Sequence, residues 1–259
     1  MLSDSLALSL FVFGYCCKSM ESPPGKELDR LLVDIACLDH KQLRASLIST
    51  TGSHCEVWRS SKRHESVQGG EASTTYIEFV IKWPLANFSE REARLLARHY
   101  RLLKETLDEI IPDAIFVITR INGAPSVLVL AKAVNVWFNI ANQQNEEEAV
   151  RLLCANPKSR IQLARFVRAA KAWRKSDNSR VIDLFGLDNL VMDINREIIF
   201  LDSFFVFFFE DMFQLINDSE EDQGLKEKLD ISIKRLAYLE HLLKVVKRAC
   251  VEKKETQSS

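Results

Sequence analysis

The chain has 259 residues, 47% of them apolar, and its 35 Lys and Arg nearly balance 36 Asp and Glu, for a formal charge of -1. That length allows one large domain or two small lobes, and the apolar fraction supplies a core. The balanced charge gives no electrostatic case for a nucleic-acid partner or an anionic membrane surface. Six cysteines (Cys16, Cys17, Cys37, Cys55, Cys154, Cys250) fit the spacing of neither a zinc site nor a disulfide framework. Free thiols at this frequency indicate a reducing, cytoplasmic compartment. The five histidines make no ligand pair at helix or hairpin spacing.

Residues 6–17 (LALSLFVFGYCC) form an apolar run with the length of a signal h-region, too short to cross a membrane. Asp4 is the only charge before it, and no small-residue cleavage pattern follows. Residues 1–19 are therefore expected to be dispensable, with Met20 opening an ordinary start of a soluble protein. Residues 1–40 form an N-terminal extension. Its short helix is predicted over 27–37, where Leu28, Leu31, Leu32 and Ile35 share a face. No other stretch reaches spanning length.

Residues 41–131 read as a small α+β lobe. A first strand is predicted within 41–49, then a small-polar turn and a strand to Trp58. Residues 60–75, polar and containing Gly69-Gly70, are predicted as a mobile hairpin connection. Residues 76–83 alternate and then run apolar, a strand ended by Pro84. Ser89 caps a helix to about Ile110, striped by Leu95, Leu96, His99, Leu102, Leu103 and Leu107. Strands over 114–121 and 126–131 flank Asn122-Gly123, a strong hairpin signal.

Residues 132–252 are predicted to be mostly helical. Helices are expected over 134–141, 146–154 and 159–175. A loop at Asp183 and two short strands follow, turning at residues 193–197. A hydrophobic helix over 204–216, its aromatic run packed in the core, precedes an acidic break and a long amphipathic helix over 225–250. Lys and Arg gathered over 160–180 read as the solvated face of a helix. Residues 253–259 are expected to be a disordered tail.

Three stretches stand in a fixed order along these elements. Phe79-Val80-Ile81-Lys82 is an apolar strand ending in one lysine. Residues 183–191 (DLFGLDNLV) are a loop with Asp183 and, six positions on, Asn189. Residues 198–204 (IIFLDSF) are an apolar strand ending in Asp202. Lysine suits phosphate, aspartate a hydroxyl proton, and asparagine with aspartate a magnesium ion. The ordered set resembles the protein-kinase-like fold, and within it the small bacterial or phosphotransferase-like kinases, over roughly residues 41–212.

That resemblance implies a bilobal α+β fold. Its N-lobe is a small antiparallel sheet with one long helix, and its C-lobe is reduced and mostly helical. It implies that Gly52 and Ser53 belong to a phosphate-covering loop and that Val57 roofs the adenine. Lys82 would bind the α- and β-phosphates, and Glu92 would pair with Lys82. Ser89 and Glu92 also read as a capping box, a competing use of the same carboxylate. Main-chain groups at Leu130 and Lys132 would meet adenine. Asp183 would accept the acceptor hydroxyl's proton, and Asn189 and Asp202 would hold magnesium, with Asp188 a second candidate beside Asn189. Gly186 would let the loop make its extra turn.

The resemblance thus implies an ATP- and magnesium-dependent phosphotransferase that passes the γ-phosphate to a hydroxyl on an unidentified small molecule or protein. The sequence also departs from the family. One glycine stands where two or three are usual. No histidine precedes Asp183, the Asp-to-Asn interval is one residue longer, and no activation segment or A-P-E motif follows Asp202. These departures carry the alternative of a catalytically impaired pseudokinase that binds nucleotide or a protein partner, with the helix from Leu225 as a partner surface.

Overall fold

The computed structural model describes residues 11–12, 45–49, 54–68, 71–121, 124–211 and 220–257. It is a mixed α+β structure. The chain divides into two compact units, Met1–Ala93 with Asp113–Ala133, and Arg94–Pro112 with Val134–Ser259.

The first unit is built on a six-stranded antiparallel sheet in the order β1-β5-β6-β4-β3-β2. The strands are β1 (Phe11–Val12), β2 (Ala45–Ser49), β3 (Cys55–Gln68), β4 (Glu71–Pro84), β5 (Ala114–Ile121) and β6 (Ala124–Lys132). Two residues of the N-terminal apolar run thus form a sheet edge, with Phe11 opposite Ile118. The helix expected over 27–37 lies outside the described residues. Ile121 opposite Ala124 leaves a two-residue connection, matching the Asn122-Gly123 signal.

Within the polar stretch 60–75, expected to be a connection, residues 60–68 and 71–75 are strand. β3 and β4 pair continuously from Cys55 opposite Pro84 to Gln68 opposite Glu71. The reason lies in the neighbours. β2 reaches only to Ser60, and β6 pairs only with Phe79–Lys82. Beyond those points no strand among the described residues flanks the ribbon, so no described neighbour requires the apolar alternation by which a strand is usually recognised. Val67, Thr74 and Thr75 supply β-branched residues there.

Helix α1 (Glu90–Leu107) starts at a formed capping box. Glu92 N–H donates to Ser89 Oγ (3.3 Å), and Ser89 N–H donates to Glu92 Oε2 (2.8 Å). Its buried stripe is Ala93, Leu96, Tyr100, Leu103 and Leu107. Leu95, expected in the stripe, is instead exposed.

The second unit contains α2 (Glu146–Ala155), α3 (Pro157–Arg174) and α4 (Glu220–Gln257). It has two small antiparallel sheets, β10-β9-β7 and β11-β8, formed by β7 (Val136–Phe138), β8 (Arg180–Ile182), β9 (Leu190–Asp193), β10 (Ile198–Phe200) and β11 (Phe207–Phe209). Two expected helices are therefore corrected to strands. Within 134–141, Val136 and Phe138 pair with β9. Within 204–216, Phe207 to Phe209 pair with β8, and residues 212–219 lie outside the described residues. Short apolar runs do not reveal their period, and β-branched and aromatic residues favour the strand. Helix α4 runs to Gln257, through most of the expected tail.

Phe166, Phe200, Phe204, Leu153, Leu163, Ile182 and Leu184 are fully buried in this unit. Among the described residues no helix is long and apolar enough to cross a membrane.

Candidate functional site

Two hairpin-like pairings assemble the acidic residues of the second unit. In the first, β9 and β10 pair with Leu190 opposite Phe200. Pairing continues one step further, because Leu201 N–H donates to Asn189 O at 2.8 Å. Asn189 therefore sits across from Leu201, and Asp202 follows directly. The far end of this hairpin is closed by Asp193. Its Oδ1 accepts the N–H groups of Asn195 (2.9 Å) and Glu197 (2.8 Å). At the base, Gln162 Oε1 of α3 accepts Ile198 N–H (2.9 Å).

In the second pairing, Phe207 lies opposite Ile182. Asp183 N–H then donates to Val206 O at 2.9 Å, which sets Asp183 beside the segment leaving Asp202. Residues 201–206 are thus tied to Asn189 at one end and to Asp183 at the other. Asp202 Oδ1 accepts Ser203 N–H (2.6 Å) and Phe204 N–H (3.2 Å). Asp183 Oδ1 accepts Phe185 N–H (2.7 Å).

This arrangement changes the acidity of Asp183, which is only 4% exposed. Burial pushes its carboxyl up to about 7, and the charge of Asp202 pushes the same way. The Phe185 N–H and the cations Lys228 and Arg235 pull it back in part. A carboxyl near 7 exchanges its proton readily at neutral pH, as a general base must.

Asn189 is joined to the same loop, its Nδ2 donating to Asp183 O at 3.2 Å. A single 3-10 turn, Leu187–Asn189, leads from this loop into β9. Gly186 has ordinary backbone angles (φ -66°, ψ 128°), so it is not needed to make that turn. A Cβ there would lie 2.5 Å from Asn189 Oδ1, so a larger residue would require the Asn189 side chain to shift. Asp188 is exposed and accepts from Asn139 Nδ2 (3.3 Å).

The loop is held from behind by α4, through residues the sequence reading missed. Leu184 N–H donates to Ser232 Oγ (3.0 Å), and Arg235 Nη1 donates to Leu184 O (2.5 Å) and also to Phe185 O. Lys228 Nζ lies 5.4 Å from the centre of the Phe185 ring. One signal was available. Ser232 is a fully buried hydroxyl on the same face of α4 as buried Leu229 and Leu236. A polar residue on such a stripe needs a partner.

The remaining candidates belong to the first unit. Val57 lies directly opposite Lys82, and Lys82 opposite Val129, so the three share one face of the sheet. Lys82 is buried. Leu130 and Lys132 lie opposite Ile81 and Phe79, and so project to the other face. The main chain at this end of β6 is engaged, with Lys132 N–H donating to Asp113 O (3.0 Å) and Ala133 N–H to Glu78 O (3.3 Å). Glu92 is exposed, and its carboxylate accepts from Ser89 N–H and Oγ, which holds it below the usual carboxylate range. Gly52 and Ser53 lie outside the described residues.

Asn189 and Asp202 offer hard oxygen ligands at adjacent places, and the charge of Asp202 raises the proton affinity of Asp183. Magnesium is commonly held by one or two such groups, completed by water and phosphate. That donor set fits it. Among the described residues no cluster of three or more His, Cys, Asp or Glu forms a closed metal cage. No protein-family model matches the chain, and the curated proteins give no significant match.

Proposed function

We propose that this protein is an ATP- and magnesium-dependent phosphotransferase with a bilobal protein-kinase-like fold, passing the γ-phosphate to a hydroxyl acceptor. The observation that carries the reading is the joining of Asp183, Asn189 and Asp202 by two strand pairings. Those residue types at those places are the ones phosphoryl transfer uses. Further support comes from the order of elements along the chain, in which β2 to β4, then α1, then β5 and β6 follow as the resemblance implies. The chain divides into two compact units, although Arg94–Pro112, with most of α1, groups with the second rather than with the sheet.

In this reading Lys82 holds the ATP phosphates, with Gly52 and Ser53 covering them, and Val57 lies against adenine. The main chain at Leu130 and Lys132 is committed to pairing with Ile81, Ile115 and Asp113, so this reading does not use it to meet the base. Asn189 and Asp202 hold magnesium, which neutralises charge on the phosphates. Asp183 accepts the proton of the acceptor hydroxyl, and its raised proton affinity suits that task. The acceptor is a hydroxyl-bearing small molecule or protein, and the compartment is reducing and cytoplasmic.

Thermal unfolding with Mg-ATP, followed by transfer of γ-labelled phosphate, tests the reading. Ligand at ~100 times its dissociation constant adds about 2.7 kcal/mol of stability. Asp202→Ala and Lys82→Met are expected to lose both the shift and the transfer while remaining folded. Full transfer by Asp202→Ala would refute the assignment.

A second reading is a catalytically impaired pseudokinase that binds nucleotide or protein. The use of Glu92 in the capping box favours it, because a carboxylate engaged there is drawn from the lysine partnership. Stabilisation by Mg-ATP with no label transferred to any acceptor would select this reading.

A further inference from the structure

The thiols of Cys154 and Cys250 meet where three helices converge. Cys154 is the penultimate residue of α2, and Cys250 lies in the last turns of α4. Their sulfurs are 2.7 Å apart, although 96 positions separate them in sequence. Both are reduced thiols, and both are partly exposed, so small reagents can reach them. Each sulfur is also held in place by a polar contact. Cys154 Sγ donates to Val246 O (3.7 Å), one turn before Cys250 on α4. Arg160 Nη1, in the first turn of α3, donates to Cys250 Sγ (3.2 Å) and to Leu153 O (3.5 Å).

We propose that Cys154 and Cys250 are a modification site, a dithiol pair oxidised to a disulfide by a low-molecular-weight disulfide such as oxidised glutathione. A disulfide needs a sulfur separation of about 2.05 Å, so closure requires a movement of about 0.7 Å. Oxidation proceeds by exchange. One protein thiol, having given up its proton, attacks a sulfur of the reagent, forming a mixed disulfide and releasing one small thiolate. The second protein thiol, likewise deprotonated, then attacks the protein-side sulfur of that mixed disulfide and releases the other. Two protein thiols lose two electrons, the reagent's S–S bond is reduced, and the two protons end on the two released thiols.

The bond ties the last turns of α4 to the end of α2. Helix α4 carries Ser232 and Arg235, which support the Asp183 loop, so this cross-link fastens the same helix at a second place. It does so within a single unit of the chain. Nothing in this inference depends on the reaction the protein performs.

The test uses the full chain, reduced and then treated in its native state with oxidised glutathione, and mapped by peptide mass spectrometry without reduction. A Cys154–Cys250 cross-linked peptide lighter by two hydrogens is expected, with Cys55, buried in β3, left unmodified. The oxidised protein is expected to melt several degrees higher than the reduced one. Cys154→Ser and Cys250→Ser should each abolish both effects, and dithiothreitol should reverse them in the wild type. The proposal is overturned if both thiols stay open to alkylation after treatment. Glutathione held stably on either one, or either one paired with a different cysteine, overturns it as well.

Discussion

Lys82 and Asp183 are fixed in their places by different means. Lys82 lies near the end of β4, paired with β3 on one side and β6 on the other. Its place is set by main-chain pairing that does not depend on which side chains are present. Asp183 directly follows a three-residue strand, and its loop is fastened by single side chains: Ser232 and Arg235 from α4, and Asn189 from the loop itself. A ladder tolerates substitution, whereas a loop hung on side-chain hooks does not. Mutations that cut a hook should therefore cost stability and geometry together, and a mutation on the ladder should cost neither.

The largest effect on stability is expected from Arg235→Ala. It leaves the carbonyls of Leu184 and Phe185 without their charged donor, at a cost of about 2–3 kcal/mol in urea unfolding. An unchanged unfolding midpoint would show that the loop stands without this hook.

Next comes Asp183→Asn, whose effect depends on pH. The unfolded carboxyl loses its proton near 4, while the folded one keeps it to about 7. Between those values the folded state binds more protons, so its stability falls as pH rises and stays lower above 7. The asparagine variant lacks this decline. Above pH 7 it should be more stable than the wild type, an advantage that vanishes near pH 4. Parallel stability curves for the two proteins across this range would contradict the burial and charge argument for Asp183.

Gly186→Ala is expected to cost about 1–2 kcal/mol, because the new methyl group must displace the Asn189 amide. It should also weaken stabilisation by Mg-ATP. A variant equal to the wild type in both respects would mean that the Asn189 side chain has another place to go.

The smallest structural effect is expected on the ladder. Lys82→Met should leave amide-exchange protection at Val57, Ile81 and Val129 unchanged, even as it removes the response to Mg-ATP. Loss of protection there would abolish the contrast between ladder and hooks.

The sequence disclosed those parts of the fold in which a local period is long enough to read. The strand over 114–121, the helices α2 and α3 and the hairpin turn after Asp193 all show their pattern within one window. It hid β7 and β11, because three apolar residues show no period and neighbouring residues suggested helix. It also hid the outer β3–β4 ribbon, which lacks apolar alternation and has no flanking strand among the described residues. At the candidate site, the acidic residues were legible by type and order, and the register of β9 with β10 joins Asn189 to the segment carrying Asp202. Ser232 and Arg235 were not, since about fifty positions separate them from the loop they hold. Long-range partnership of that kind leaves only an indirect trace, here a serine on an otherwise apolar helix face.

The place of α4 in the chain has a consequence for how the protein is made. The Asp183 loop leaves the ribosome about fifty residues before Arg235 does. At a synthesis rate of ~5–20 residues per second the gap lasts roughly 3–10 s. During that interval the sheet of the first unit can form, because its strands are already complete. The nascent loop meanwhile has its sequence but not its supports, and a chain stalled before Ser232 would carry the acidic residues without the helix that holds them in register.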